Sequence, residues 1–278
     1  MPVNAGMPEP GPDEDLVPTL SYIGMGMLAK TRTRLANSPE TREFLELGLA
    51  LLRTDLIDHT GPDFELGDRS RLFESVSRAR IMALAKQRDP DRARLLGENM
   101  FRHRWRRKDH YTEDLIAYLF RLGPQQRHLD DMFATSIALI DEISLGQLVR
   151  TLAAAEVDAM LADPLVALQA IVQTALPKHP RVQEFTRAQY EYLLPRWAQL
   201  YARVATAYGL SLKSGRTWDD VALLFNSVVE GALMRARVEG AETRLSNGDG
   251  VLAGAILAML PSLLDSAEDW DTCYAEGR

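Results

Sequence analysis

Apolar residues recur three and four positions apart along most of this chain, and no run alternates strictly or flanks an Asn-Gly hairpin, so the pattern predicts an all-α fold. The first firm helix opens at Ser38, an N-cap residue followed by Pro39 and Glu40, and Phe44, Leu47 and Leu51 then mark one face. It ends near Asp55, before a loop with Gly61-Pro62 and Gly67. A second helix spans about 75–88, with Val76, Ala79, Met82 and Ala83 turned inward, and Asp89-Pro90-Asp91 breaks or re-caps it. A short segment over about 92–104 leads to a third helix at 109–121.

Six further helices follow at about 129–144, 147–162, 164–176, 180–209, 217–239 and 250–264, punctuated by Pro164, Pro180, Gly209, Gly215, Gly240 and Gly248. In the 217 helix, Thr217 and Asp220 have capping-box spacing, and Val221, Phe225, Val228 and Val229 head a full apolar stripe. Leu252, Ile256 and Leu260 repeat it in the last helix, which Pro261 should kink. These boundaries divide the chain into a disordered or arm-like extension (1–38), a first domain (39–121), a second domain (122–265) and a tail (266–278) that holds the single cysteine, Cys273.

Charge changes the picture of the first domain. The whole chain is at −7, yet residues 64–110 hold thirteen Lys/Arg against seven Asp/Glu, an excess of six positive charges. Such asymmetry suits one region that meets a polyanion and another that does not; a solvated Arg-rich helix face would carry the same composition. Within it, the stretch Gly97 to Asp109 reads as a short helix behind a turn. Arginine forks match guanine edges and phosphate oxygens, so Asn99, Arg102, His103, Arg104, Arg106, Arg107 and Lys108 are the candidate DNA-binding residues. Phe101 and Trp105, four apart, would anchor this helix and leave Arg102 and Arg104 toward solvent or DNA. Lys30, Arg32 and Arg34 could add a basic arm, but an untethered solvated segment is the safer reading.

These residues resemble the tetracycline-repressor-like (TetR) family. Phe101, His103, Trp105 and Lys108 fall on that family's Leu/Phe, His, aromatic and Lys positions, Asp109–Phe120 is similar to its fourth helix, and Ser38–Asp55 to its first. Glu98, Asn99, Met100 and Arg102 depart from its usual Lys/Arg, Gly, Thr and Tyr, and the 56–96 link is longer than the family's. The resemblance implies an N-terminal helix-turn-helix domain and a C-terminal helical domain for ligand binding and dimerisation. It implies a near-palindromic double-stranded DNA operator, a homodimer, and a small, largely apolar effector. Met160, Tyr190, Leu194, Trp197 and Tyr201 are the candidate effector-pocket residues, although aromatic and Met positions at helical spacing also make ordinary core. The dimer interface would use Val221, Phe225, Val228, Val229, Leu252, Ile256 and Leu260. A helical ligand-binding or interaction module with weak or no specific DNA binding is the alternative.

No chemistry of an enzyme is expected. His59, His103, His110, His128 and His179 show no metal-ligand spacing, and there is no Gly-rich phosphate loop. His128 with Asp130-Asp131 fits a helix N-terminus better than a metal or acid–base site. No metal, cofactor or membrane partner is expected, and the cytoplasm is the simplest compartment.

Overall fold

The computed structural model describes residues 14–58, 72–74, 76–265 and 269–275; the Gly61-Pro62 and Gly67 loop, His59 and the start of the N-terminal extension lie outside these. The described residues are mostly helical, and the chain divides into two compact units. Among the described residues, the N-terminal unit holds 14–123 together with Pro164–Arg187, and the C-terminal unit holds Pro124–Asp163 together with those from Ala188 onward.

The N-terminal unit is built around α2 (Pro39–Leu56), whose Ser38 hydroxyl accepts the Thr41 N–H as foreseen. Phe44, Leu45, Leu47, Leu49, Leu51 and Leu52 are all buried, which is apolar coverage on most sides and makes α2 central rather than peripheral. Against it lies α6 (Lys108–Leu119), where the Tyr111 hydroxyl donates to the Phe44 carbonyl at 2.7 Å. That approach requires Gly48, because a Cβ there would collide with the Tyr111 hydroxyl. Helix α9 (Pro164–Ala175) buries Leu165, Leu168 and Val172 in the same core, and Gln169 Nε2 donates to the Leu119 carbonyl at 2.7 Å.

The N-terminal extension corrects the sequence reading. From residue 14 it is not a free arm: Leu16, Leu20 and Ile23 are fully buried in this core, and Ala29–Ala36 forms helix α1. The buried Asp114 carboxylate holds it there, accepting the Tyr22 N–H and the Trp105 indole N–H, each at 2.9 Å. Burial pushes the Asp114 carboxyl up to about 6, against the lowering by these donors. Arg32 is also turned inward, donating to the Leu20 carbonyl at 2.8 Å.

Helices α3 (Arg78–Arg88), α4 (Pro90–Leu96) and α5 (Glu98–Arg104) follow in close succession. Ser77 rather than Ser75 precedes the first, and the buried positions of α3 are Ile81 and Ala85, whereas Ala79 and Ala83 are exposed. Asp89 re-caps the chain as expected, its Oδ1 accepting the N–H groups of Asp91 and Arg92 at 3.0 Å. Gly97, at φ 33°, then turns the chain between α4 and α5, a conformation that L side chains rarely adopt.

The C-terminal unit packs α7 (Gly123–Ile140), α8 (Leu145–Ala162), the later turns of α10 (Pro180–Ala207), α11 (Trp218–Glu239) and α12 (Val251–Leu263). Thr217 and Asp220 form the capping box at α11. One small antiparallel pair, β1 (Ser211–Leu212) with β2 (Leu264–Asp265), ties the start of the α11 segment to the end of α12. Residues 269–275 of the tail are docked: Leu145 and Gly146 donate their N–H groups to the carbonyls of Cys273 (2.8 Å) and Trp270 (2.9 Å). Those N–H groups are among the first of α8 and have no partner within the helix, which is why the tail fits there.

Candidate functional site

Helix α5 is a single short rod with two chemically distinct faces. Phe101, Arg104 and Trp105 sit at i, i+3 and i+4 and are buried; Asn99, Arg102, His103 and the following Arg106 lie on the exposed side. The anchor is an aromatic cluster. Trp105 meets Tyr111 edge-on at 5.0 Å, and Phe44 meets Phe101 edge-on at 5.2 Å, so the helix is fixed to α2 and α6.

Arg104 therefore does not face DNA, contrary to the sequence reading. It is 5% exposed and spreads its guanidinium over the α2 N-terminus. Nε donates to the Thr41 hydroxyl at 2.7 Å, while Nη2 donates to the Ser38 hydroxyl at 2.8 Å and to Glu40 at 3.1 Å. Burial lowers its pKa from the ordinary arginine value, and the neighbouring Glu40 opposes that shift. Arg104 joins α5 to α2.

The exposed cations surround a shallow groove of about 550 Å³ lined by Arg78, Arg102, Arg106, Arg107 and Lys108, with Phe101, Trp105 and Tyr111 among the aromatic residues that line it. Two acids offset part of the charge. Glu98 lies 3.4 Å from Arg78 and 3.8 Å from Arg102, and Asp109 lies 2.6 Å from Arg107. Lys108 Nζ donates to the Glu74 carbonyl at 2.8 Å, which leaves its charge uncompensated. Arg106 makes no ion pair among the described residues. These cations surround the start of α6, whose N-cap, Arg107, supplies no side-chain acceptor. The helix thus presents unsatisfied N–H groups and the positive end of its dipole beside a cluster of guanidinium groups, a combination that favours an oxyanion.

The C-terminal unit contains a second feature, a partly open cavity of about 160 Å³ among α8, α10, α11 and α12. Three of the five effector-pocket candidates line it, Met160, Trp197 and Tyr201. The other two do not. Leu193 takes the place foreseen for Leu194, and the Tyr190 hydroxyl instead donates to Glu230 at 2.7 Å. Trp197 and Tyr201 stack with centroids 5.8 Å apart, and Phe225 meets Tyr201 edge-on at 5.2 Å.

The residues assigned to a dimer interface are a second correction. Val221, Phe225, Leu252 and Leu260 are buried inside the unit, and Val228, Val229 and Ile256 pack partly buried against the same clusters. Their stripe is the inward face of α11 and α12, and part of it walls the cavity. The exposed apolar residues of α11 are instead Leu223, Leu224, Met234 and Val238, at 55%, 37%, 65% and 88% exposure.

Sequence reasoning also passed over Glu156. It lines the cavity while only 6% exposed, and its Oε2 lies 2.6 Å from His128 Nε2. The signal was available: Leu148, Leu152, Glu156 and Met160 are spaced by four, a lone acid within an apolar row. The Glu156 hydrogen bond raises the His128 pKa, burial opposes it, and the charges of Glu156, Asp131 and Asp163 add to the rise. Among the described residues no group of three or more His, Cys, Asp or Glu is placed to hold a metal ion. No described helix is long and apolar enough to cross a membrane. No family model, curated protein or solved structure matches this chain.

Proposed function

We propose that this chain is a one-component DNA-binding transcriptional regulator of the tetracycline-repressor-like kind, whose operator affinity is set by a small molecule in the C-terminal cavity. The observation that carries the reading is the exposed set of Arg102 on the short rod anchored by Phe101 and Trp105, Arg106 and Arg107 in the turn after it, and Lys108 at the start of α6. Asn99, Arg102 and His103 are the base-reading side chains, because they occupy the outward face that a major groove would receive. Arg106, Arg107, Lys108 and the α6 N-terminus are the phosphate clamp.

Two copies are needed to read a near-palindromic site with half-sites about 34–36 Å apart. The outward Leu223, Leu224, Met234 and Val238 of α11 supply apolar area for that pairing. An effector shifts operator affinity only by its differential affinity for the two states, typically about 1–3 kcal/mol.

The test is selection of bound duplexes from a random pool, followed by titration of the selected sequence at several salt concentrations. Arg102→Ala is expected to weaken binding tenfold or more, in line with about 1–3 kcal/mol for a bidentate base contact. Arg106→Ala should flatten the log–log salt slope by about one. Wild-type affinity and slope in both variants would refute the assignment. One observation favours the alternative, a ligand-binding module without specific DNA recognition: Glu98 and Asp109 already engage Arg102 and Arg107. Failure of the selection to enrich any sequence would support it.

A further inference from the structure

The cavity wall is apolar and aromatic with two exceptions, Asn226, whose amide donates to Glu230 at 3.0 Å, and Glu156. Glu156 is the one charged residue among the described residues lining it, and its side chain is 9% exposed. An ionised carboxylate in such surroundings is costly unless it is paired and hydrogen-bonded. Among the described residues the carboxylate has one hydrogen-bond partner, His128, which is on α7 and not on the wall. That partner engages Oε2 and leaves Oε1 without a donor.

The rings around it have a matching chemistry. Trp197, Tyr201 and Phe225 form a continuous aromatic group beside the acid, and ring faces attract cations within about 6 Å of their centroids. Tyr201 does not add a second anion, since burial and then the Glu156 charge hold its phenol protonated. A wall of one buried carboxylate and several ring faces attracts a cation and rejects an anion.

We propose that the cavity binds a single-ring or similarly small apolar molecule carrying one protonated amine, with its ammonium donating to Glu156 and its apolar body lying against Trp197, Tyr201 and Phe225. The size limit comes from the volume: about 160 Å³ is close to an apolar cavity that holds one benzene. The assignment rests on the reading of this cavity as the effector site and names the ligand class that it takes.

Trp197 and Trp218 both line the cavity, so tryptophan fluorescence reports its occupation. The probes are 2-phenylethylamine, 2-phenylethanol and phenylacetate, which share one ring and differ in the charge at the end of the arm. The amine is expected to bind at least tenfold more tightly than the alcohol, and phenylacetate most weakly. In Glu156→Gln the advantage of the amine should vanish while the alcohol binds as before. Binding of the alcohol with no preference for the amine, phenylacetate ranking first, or a preference that survives Glu156→Gln would each overturn the ammonium assignment and leave the cavity a ligand site. No response to any of the three would overturn the ligand-site reading as well. The ranking on the unaltered chain decides the matter even if the variant does not fold.

Discussion

Arginine 104 shows how much one residue's direction decides. Its guanidinium bonds to Ser38, Glu40 and Thr41, so its removal leaves a half-buried acid and two hydroxyls at the α2 N-terminus short of a donor. Arg104→Ala is expected to cost about 3 kcal/mol in urea denaturation. Arg102→Ala, at a side chain 59% exposed, should leave the midpoint within experimental error. The spacing carried this distinction: residue 104 shares the helix face of Phe101 and Trp105, whereas 102 and 106 share the other. An arginine count over the segment cannot express it; the i, i+3, i+4 relation does. At His128 the sign of the pKa shift sets a pH window. The folded-state pKa is raised, so the stability gained from the His128–Glu156 bond is complete below the unfolded value of about 6.5 and is lost as pH rises through the folded value. Wild type should therefore lose on the order of 1 kcal/mol relative to His128→Gln between pH 6 and pH 9, the difference between a charge-assisted and a neutral bond.

Among elements, α11 was legible in its limits and its cap but not in its outward face. Its sequence is apolar on two sides, and periodicity alone offers either as the interior. The choice falls to α8 and α12, which pack on the side of Val221, Phe225, Ala232 and Leu233. The two faces should answer differently to substitution. Phe225→Ala removes a ring that is 5% exposed and is expected to destabilise the unit by about 3–5 kcal/mol. Met234→Glu leaves the unit's own core intact and should abolish the proposed pairing of two copies in light scattering, with an unchanged thermal midpoint for the monomer. A dimer that persists in Met234→Glu would remove this face from the pairing. Helix α2 gives the corresponding case in the N-terminal unit. Gly48→Ala must push Tyr111 away from its bond to Phe44, an overpacking cost of about 1–3 kcal/mol.

At the scale of the whole molecule, the helices from α8 onward fell within two residues of their expected limits, because each is bounded by proline, glycine or a capping residue, whereas α7 starts at Gly123, six residues before its expected start. Their grouping did not follow from the same signals. Leu165, Leu168 and Val172 mark an amphipathic helix without saying that its partners are α2 and α6, some fifty residues or more upstream. Leu16, Leu20 and Ile23 were hidden differently. The Pro- and Gly-rich composition around them reads as unfolded, and the acid that holds the segment, Asp114, is 92 positions from Tyr22. Contacts of that range are invisible to any local window.

The discontinuous N-terminal unit has a consequence for how the protein is made. Synthesis is vectorial, and the apolar surface of α2 and α6 that receives Leu165, Leu168 and Val172 stays bare until the ribosome has passed residue 187. At about 5–20 residues per second this leaves an interval of seconds in which a nascent chain ending between 123 and 187 carries an unfinished core. Release at residue 163 should yield aggregated or rapidly degraded product, whereas release after 187 should yield a protease-resistant N-terminal fragment. The chain is thus expected to depend on chaperone protection midway through translation rather than at its end.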